Sequence, residues 1–95
     1  MPKECILRLY ILGSNAASEL ALANLRDIIA KETKTIFKLE VIDIRKNPQL
    51  AENDKIIAVP TLIRKLPKPI RKIIGDLSDI EKVLLGLDII LQNGK

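Results

Sequence analysis

The chain has 95 residues and a net charge of +4, enough for one small, mildly basic domain and too short for two. Hydrophobic residues make up 47% and aromatics 2%, so the core is aliphatic, while 29% charged residues exclude a disordered tail and a membrane span. One cysteine and no histidine exclude an internal disulfide, a CxxC redox pair and Ser–His or Cys–His nucleophiles, and they leave a metal site without its usual donors.

Met1-Pro-Lys-Glu lacks a basic-then-apolar leader pattern, which leads to the expectation of a cytoplasmic protein. Cys5 to Leu12 predicts a strand that is apolar on both faces and interrupted only by Arg8, as suits a central strand. Cys5 reads there as a small buried hydrophobe. Gly13-Ser14-Asn15 ends the strand, and Ser14, Asn15 or Ser18 is available to cap the helix that follows. That helix is predicted from Ala16 to roughly Glu32. Ala21, Leu25 and Ile28 form its stripe, widened by Leu22 and Ile29, and Asp27 and Lys31 lie at i, i+4. Ile36 to Ile44 predicts a second strand, with Phe37, Leu39 and Val41 on one face and Lys38 and Glu40 on the other. Strand, helix and strand at this spacing make a βαβ unit.

Asn47-Pro48 predicts a short helix reaching about Asn53 or Lys55, with Asn as cap and Pro in the first turn. Thr61 to Ile63 is strand-like. Lys65 to Pro69 is an extended connection, since each proline removes a backbone donor, and Ile70 to Ile74 is one more strand. Ser78-Asp-Ile-Glu81 fits a capping box for a final helix from Asp79 to about Leu91, with Gln92 to Lys95 frayed. The order is βαβαββα, an α/β protein of thioredoxin-like type with helices on both sides of a mixed sheet.

The stretch Ala58–Ser78 concentrates the chemistry. It holds three of the five prolines and the basic residues Arg64, Lys65, Lys68, Arg71 and Lys72, with no catalytic grouping. The inferred function is docking without bond-making. Such a patch suits an acidic protein face, anionic lipid or nucleic acid, or is simply a solvated surface. Only Tyr10 and Phe37 could stack on bases, and neither lies near the basic run, so nucleic acid is the weaker reading.

Val59-Pro60-Thr61-Leu62 is similar to the thioredoxin family's cis-proline segment, but the loop that should carry CxxC reads Gly13-Ser14-Asn15-Ala16-Ala17-Ser18. A longer match covers nearly the whole chain: Leu9-Tyr10, Gly13, Val41-Ile-Asp43, Lys46-Asn-Pro-Gln-Leu-Ala-Glu52, Asp54-Lys-Ile56, Pro60-Thr-Leu62, Ile73-Ile-Gly-Asp-Leu-Ser78, Glu81-Lys-Val-Leu84 and Gly86-Leu-Asp88. In this order and spacing the sequence resembles the KaiB family of bacterial circadian-clock proteins.

That resemblance implies a non-enzymatic, cofactor-free single domain over residues 1–95 that binds a KaiC-type ATPase ring and modulates its phosphorylation cycle. KaiA and a histidine kinase with a KaiB-like domain are implied further partners. It also implies self-association to a dimer or tetramer, and two folds. The half over about 1–50 stays constant, and that over about 51–95 exchanges between the thioredoxin-like state and a βαββααβ ground state. The residues expected to meet KaiC are Arg64, where the family has lysine, with Lys65, Arg71 and Lys72. Gly86 and Asp88 are expected to bias the switch, as poor residues for the interior of the final helix. Pro60, Pro67 and Pro69 are the candidates for cis bonds.

The family's run of three prolines here reads Pro67-Lys68-Pro69. Leu20 stands where a family arginine contacts KaiC, and Cys5 and Leu91 stand where tyrosine is frequent. These departures point to a divergent paralogue or a stress-related Kai system. The competing functions are a thioredoxin-like oxidative-stress protein without CxxC chemistry and a basic nucleic-acid-binding module.

Overall fold

The computed structural model describes residues 3–88. Its elements are β1 (Lys3–Ile11), α1 (Ala16–Lys31), β2 (Thr35–Asp43), α2 (Pro48–Asn53), β3 (Thr61–Leu66), β4 (Arg71–Ile74) and α3 (Ile80–Gly86). This is the βαβαββα order expected from the sequence. The four strands form one mixed sheet in the order β2-β1-β3-β4. β1 runs parallel to β2 and antiparallel to β3, and β3 pairs antiparallel with β4.

Period-2 alternation divides the side chains of β1 between two cores. Cys5, Leu7 and Leu9 join Leu62 and Ile73 on one face, under Ala21, Leu25 and Ile28 of α1 and Val83, Leu84 and Leu87 from α3 and its end. Tyr10, Ile42 and Ile63 make a smaller cluster on the other face, covered by Leu50 and Ala51 of α2 with Ile56 and Val59. Each fully buried aliphatic side chain contributes about 2 kcal/mol. β2 is an edge strand, and its alternation is weaker than the sequence predicts. Val41 is exposed, and the better-buried residue is its neighbour Ile42 on the opposite face.

Asn15 settles the choice of cap for α1, because its side-chain oxygen accepts from the Ser18 N–H at 2.8 Å. Ser18 is used differently: buried, its hydroxyl accepts from the Leu12 N–H at 3.0 Å and fastens the helix to the end of β1. Gly13 turns the chain at φ +54, with the Arg45 guanidinium packed where a side chain would lie. At α3 the expected capping box is not formed. The cap is Asp79, which accepts from the Lys82 N–H at 3.2 Å, while the Ser78 N–H donates to Asp76 instead. The final helix is also shorter than expected. It ends at Gly86 with Leu87 as C-cap, and Asp88 turns to φ +57. The remainder of the predicted helix to Leu91 and the frayed end at 92–95 lie outside the described residues.

Among the described residues no helix is long and apolar enough to cross a membrane.

Candidate docking surface

The segment from Ala58 to Ser78 folds as the β3–β4 hairpin with an irregular lead-in. The peptide bonds before Pro60, Pro67 and Pro69 are all cis. Thr61 donates its hydroxyl to the Ala58 carbonyl at 2.6 Å, and the Gly75 N–H donates to the Pro60 carbonyl at 3.0 Å, closing the hairpin base. Residues 66–70 are exposed throughout and carry Leu66, Lys68 and Ile70 to the surface at the edge of the sheet.

The four basic residues expected on the docking face separate into different roles. Arg64 is not a surface residue: it is only 3% exposed. Its guanidinium donates to the Leu87 carbonyl at 2.6 Å and to the Pro69 carbonyl at 2.8 Å, which ties the end of α3 to the proline connection. Its Nε has no partner among the described residues. Residue 64 lies on the main-core face of β3, in register with Leu7 of β1, so the long side chain runs beneath α3. The basic run in the sequence could not show which charge faced inward.

Lys65 is 27% exposed and pairs with Asp54 at 2.8 Å. Lys72, exposed on β4, donates to the Asp54 carbonyl at 2.6 Å, bracing the turn where Lys55 takes φ +56. Arg71, 47% exposed, pairs with Asp88 at 3.1 Å. Arg71 and Lys72 are therefore the members of the set whose side chains are exposed.

Asp54 is the organising residue that the sequence reading passed over. One carboxylate oxygen accepts from Lys65. The other lies 2.6 Å from the Tyr10 hydroxyl and 2.9 Å from Arg8 Nη1. Arg8 also reaches Glu40 on β2 at 2.8 Å. Partial burial pushes the Asp54 carboxyl up, but hydrogen bonds from Lys65, Tyr10 and Arg8 outweigh it and bring it down to about 2. Burial also disfavours the charged form of Arg8, and its contacts with Glu40, Tyr10 and Asp54 reverse this, so its pKa is raised. Burial and the Asp54 hydrogen bond together raise the Tyr10 phenol. A signal was available: Arg8 is the one charge inside an apolar central strand, and such a charge needs a partner.

The two residues expected to bias a fold switch have distinct geometries. Gly86 is the last residue of α3, and a Cβ there would meet Ile73 Cδ1 at 2.8 Å. Close packing against β4 gives it a reason. Asp88 lies beyond the helix in the left-handed region, where Asp is better tolerated than most residues. The helix-interior penalty expected for Asp88 does not operate at a position outside the helix.

Among the described residues this surface carries no activated nucleophile. Cys5 is buried in β1, and burial pushes its thiol up against the opposing influence of Arg64. Tyr10 is fully buried and Phe37 packs on the main core, so neither presents an open ring to a base. Among the described residues no group of three or more Cys, Asp or Glu side chains converges as metal ligands.

A family model described as the KaiB domain matches residues 8–89. The chain is 56% identical over 88 residues to a circadian clock oscillator protein KaiB of Prochlorococcus marinus (strain MIT 9303), spanning 93% of this chain and 74% of that one. It is 52% identical over 92 residues to the protein of that name from Trichodesmium erythraeum, spanning 97% and 88%. In three dimensions it is similar to the N-terminal domain of Synechococcus elongatus SasA, with a TM-score of 0.73 and 24% identity over 90% of this chain and 82% of that one. It is also similar to mitochondrial thioredoxin 3 of Saccharomyces cerevisiae, with a TM-score of 0.72 and 15% identity over 90% and 78%. At these identities the structural likeness speaks for the fold alone.

Proposed function

The chain belongs to the KaiB family, and from that membership we propose that it is a non-enzymatic regulator that docks on a KaiC-type ATPase ring and modulates its phosphorylation cycle. The observation that carries the reading is the chain-wide identity with relatives named as circadian clock oscillator proteins. The geometry is compatible with it. The short edge strand β4 presents Arg71 and Lys72, flanked by exposed Ile70 and Ile74, to an incoming protein face. Charges on such a rim act mainly on encounter and orientation, and apolar contacts supply affinity. KaiA-type and histidine-kinase partners, self-association and exchange of the half over about 51–95 with a second fold belong to the same proposal.

The direct test is size-exclusion chromatography of the chain with the KaiC-type ATPase of its own organism, with and without ATP. Co-elution is expected, and Arg71→Glu should weaken it while amide spectra keep the β3–β4 hairpin. No complex after prolonged incubation overturns the reading; full affinity in Arg71→Glu removes that residue from the surface.

A further inference from the structure

Arg64 and Arg71 are register partners on β3 and β4. Like charges directly opposite on a sheet repel. One carboxylate oxygen answers both: Asp88 Oδ2 lies 3.1 Å from Arg71 Nη2 and 3.6 Å from Arg64 Nη1. Among the described residues no other carboxylate pairs with either arginine. Arg64 is held in place by the Leu87 and Pro69 carbonyls, so its buried charge is a fixed part of the site and cannot swing away.

The cover is loose. Asp88 is 54% exposed, and it meets both arginines through a single oxygen. It is carried on the residue after the C-cap of α3, at positive φ, a conformation unfavourable for a side-chain-bearing residue even where Asp tolerates it. A carboxylate arriving from outside could take Arg71 through two parallel N–H···O bonds, the stronger arrangement for a guanidinium.

We propose that Asp88 is an internal stand-in for a carboxylate of the docking partner, covering the Arg64–Arg71 pair in the unbound thioredoxin-like fold and giving way to an acidic segment of that partner. The inference rests on the docking reading and adds a recognition chemistry and a built-in competitor to it. An exposed ion pair is weak, so the stand-in lowers affinity by a modest factor and does not block binding.

The test uses the full chain and a fluorescein-labelled hexaglutamate peptide, followed by anisotropy at low ionic strength. Asn tolerates the left-handed backbone and removes the charge, so Asp88→Asn should bind the peptide about threefold to fivefold more tightly. Adding Arg71→Gln should abolish that gain. A gain absent from Asp88→Asn, or surviving in the double variant, overturns the proposal. If Asp88→Asn loses the amide signals of α3, the decision passes to the wild-type chain. There the carboxyl-carbon resonance of Asp88 should move toward that of a free carboxylate as peptide saturates, and an unmoved resonance overturns the proposal. The same variants on the KaiC-type ring separate the two readings. A ring that binds wild type and Asp88→Asn equally removes the stand-in and leaves docking. A ring that binds neither, with the peptide results as expected, removes that partner and leaves the stand-in.

Discussion

The Tyr10 hydroxyl stands 2.6 Å from the Asp54 carboxylate and 2.9 Å from the Leu50 carbonyl, joining the central strand β1 to α2 and its C-cap. A buried phenol needs such a partner, and here the partner is charged. Removing only the hydroxyl in Tyr10→Phe keeps the ring in its cluster with Ile42 and Ile63 and leaves Asp54 to Arg8 and Lys65. The expected loss of stability is about 1.5–2 kcal/mol, measured by urea unfolding. A change below about 0.5 kcal/mol would mean that water replaces the hydroxyl without cost.

The same carboxylate gives stability a particular dependence on acid. Asp54 titrates at about 2 in the folded chain against 3.8 ordinarily. Its folded pKa is depressed, so its contribution is complete above about pH 5 and declines as pH falls toward 2. The full size of this contribution is about 2 kcal/mol for a shift of this extent. Unfolding free energies at pH 6 and pH 3 should therefore fall more in the wild type than in Asp54→Asn. The other depressed carboxyls, Asp43 and Asp76, titrate alike in both proteins and drop out of the difference. Equal losses would remove Asp54 as the source.

The element order was legible because hydrophobic period and turn chemistry agree over most of the chain. The α1 stripe of Ala21, Leu25 and Ile28 is buried where its spacing puts it. What pattern could not supply was the destination of polar side chains. Arg64 and Arg71 look alike in a basic run, yet one side chain is buried against backbone carbonyls and the other remains half in water. Asp54 looked like a helix-end residue, and only the fold brings Arg8 and Tyr10 to it from more than 40 residues away. Ser78 and Asp79 both offer a cap, and the Asp76 carboxyl, by binding the Ser78 N–H, leaves the role to Asp79. The edge position of β2 likewise let Val41 stay exposed despite its alternation.

Arg64 should not tolerate lysine in this state. An ammonium is a point donor and cannot span the Leu87 and Pro69 carbonyls as the planar guanidinium does. Arg64→Lys leaves one of these carbonyls without its donor and is expected to cost about 1–2 kcal/mol. Arg71→Lys, at the half-exposed register partner, should cost less than about 0.5 kcal/mol. Comparing the two by thermal and urea unfolding tests the assignment. Equal small effects would return Arg64 to the surface set.

Gly86 and Ile73 meet where α3 crosses β4, and their contact sets the sign of a substitution that helix propensity alone would misjudge. Alanine inside a helix is favoured over glycine by about 1 kcal/mol, and by less at a last helical residue such as Gly86. The added Cβ would come within 2.8 Å of Ile73 Cδ1 and 3.0 Å of Cγ1, so Ile73 must change rotamer inside a packed core. In the wild-type background the two effects oppose, and Gly86→Ala should change stability by less than about 1 kcal/mol. Ile73→Val deletes Cδ1, the nearer of the two contacts, at a cost of about 1 kcal/mol, and leaves a methyl at the Cγ1 position 3.0 Å away. In that background Gly86→Ala should be more favourable than in the wild type, which a double-mutant cycle measures as a favourable coupling of about 0.5–1 kcal/mol. Additive effects would show that the glycine is not kept by this contact. They would leave backbone flexibility at the end of α3 as its reason.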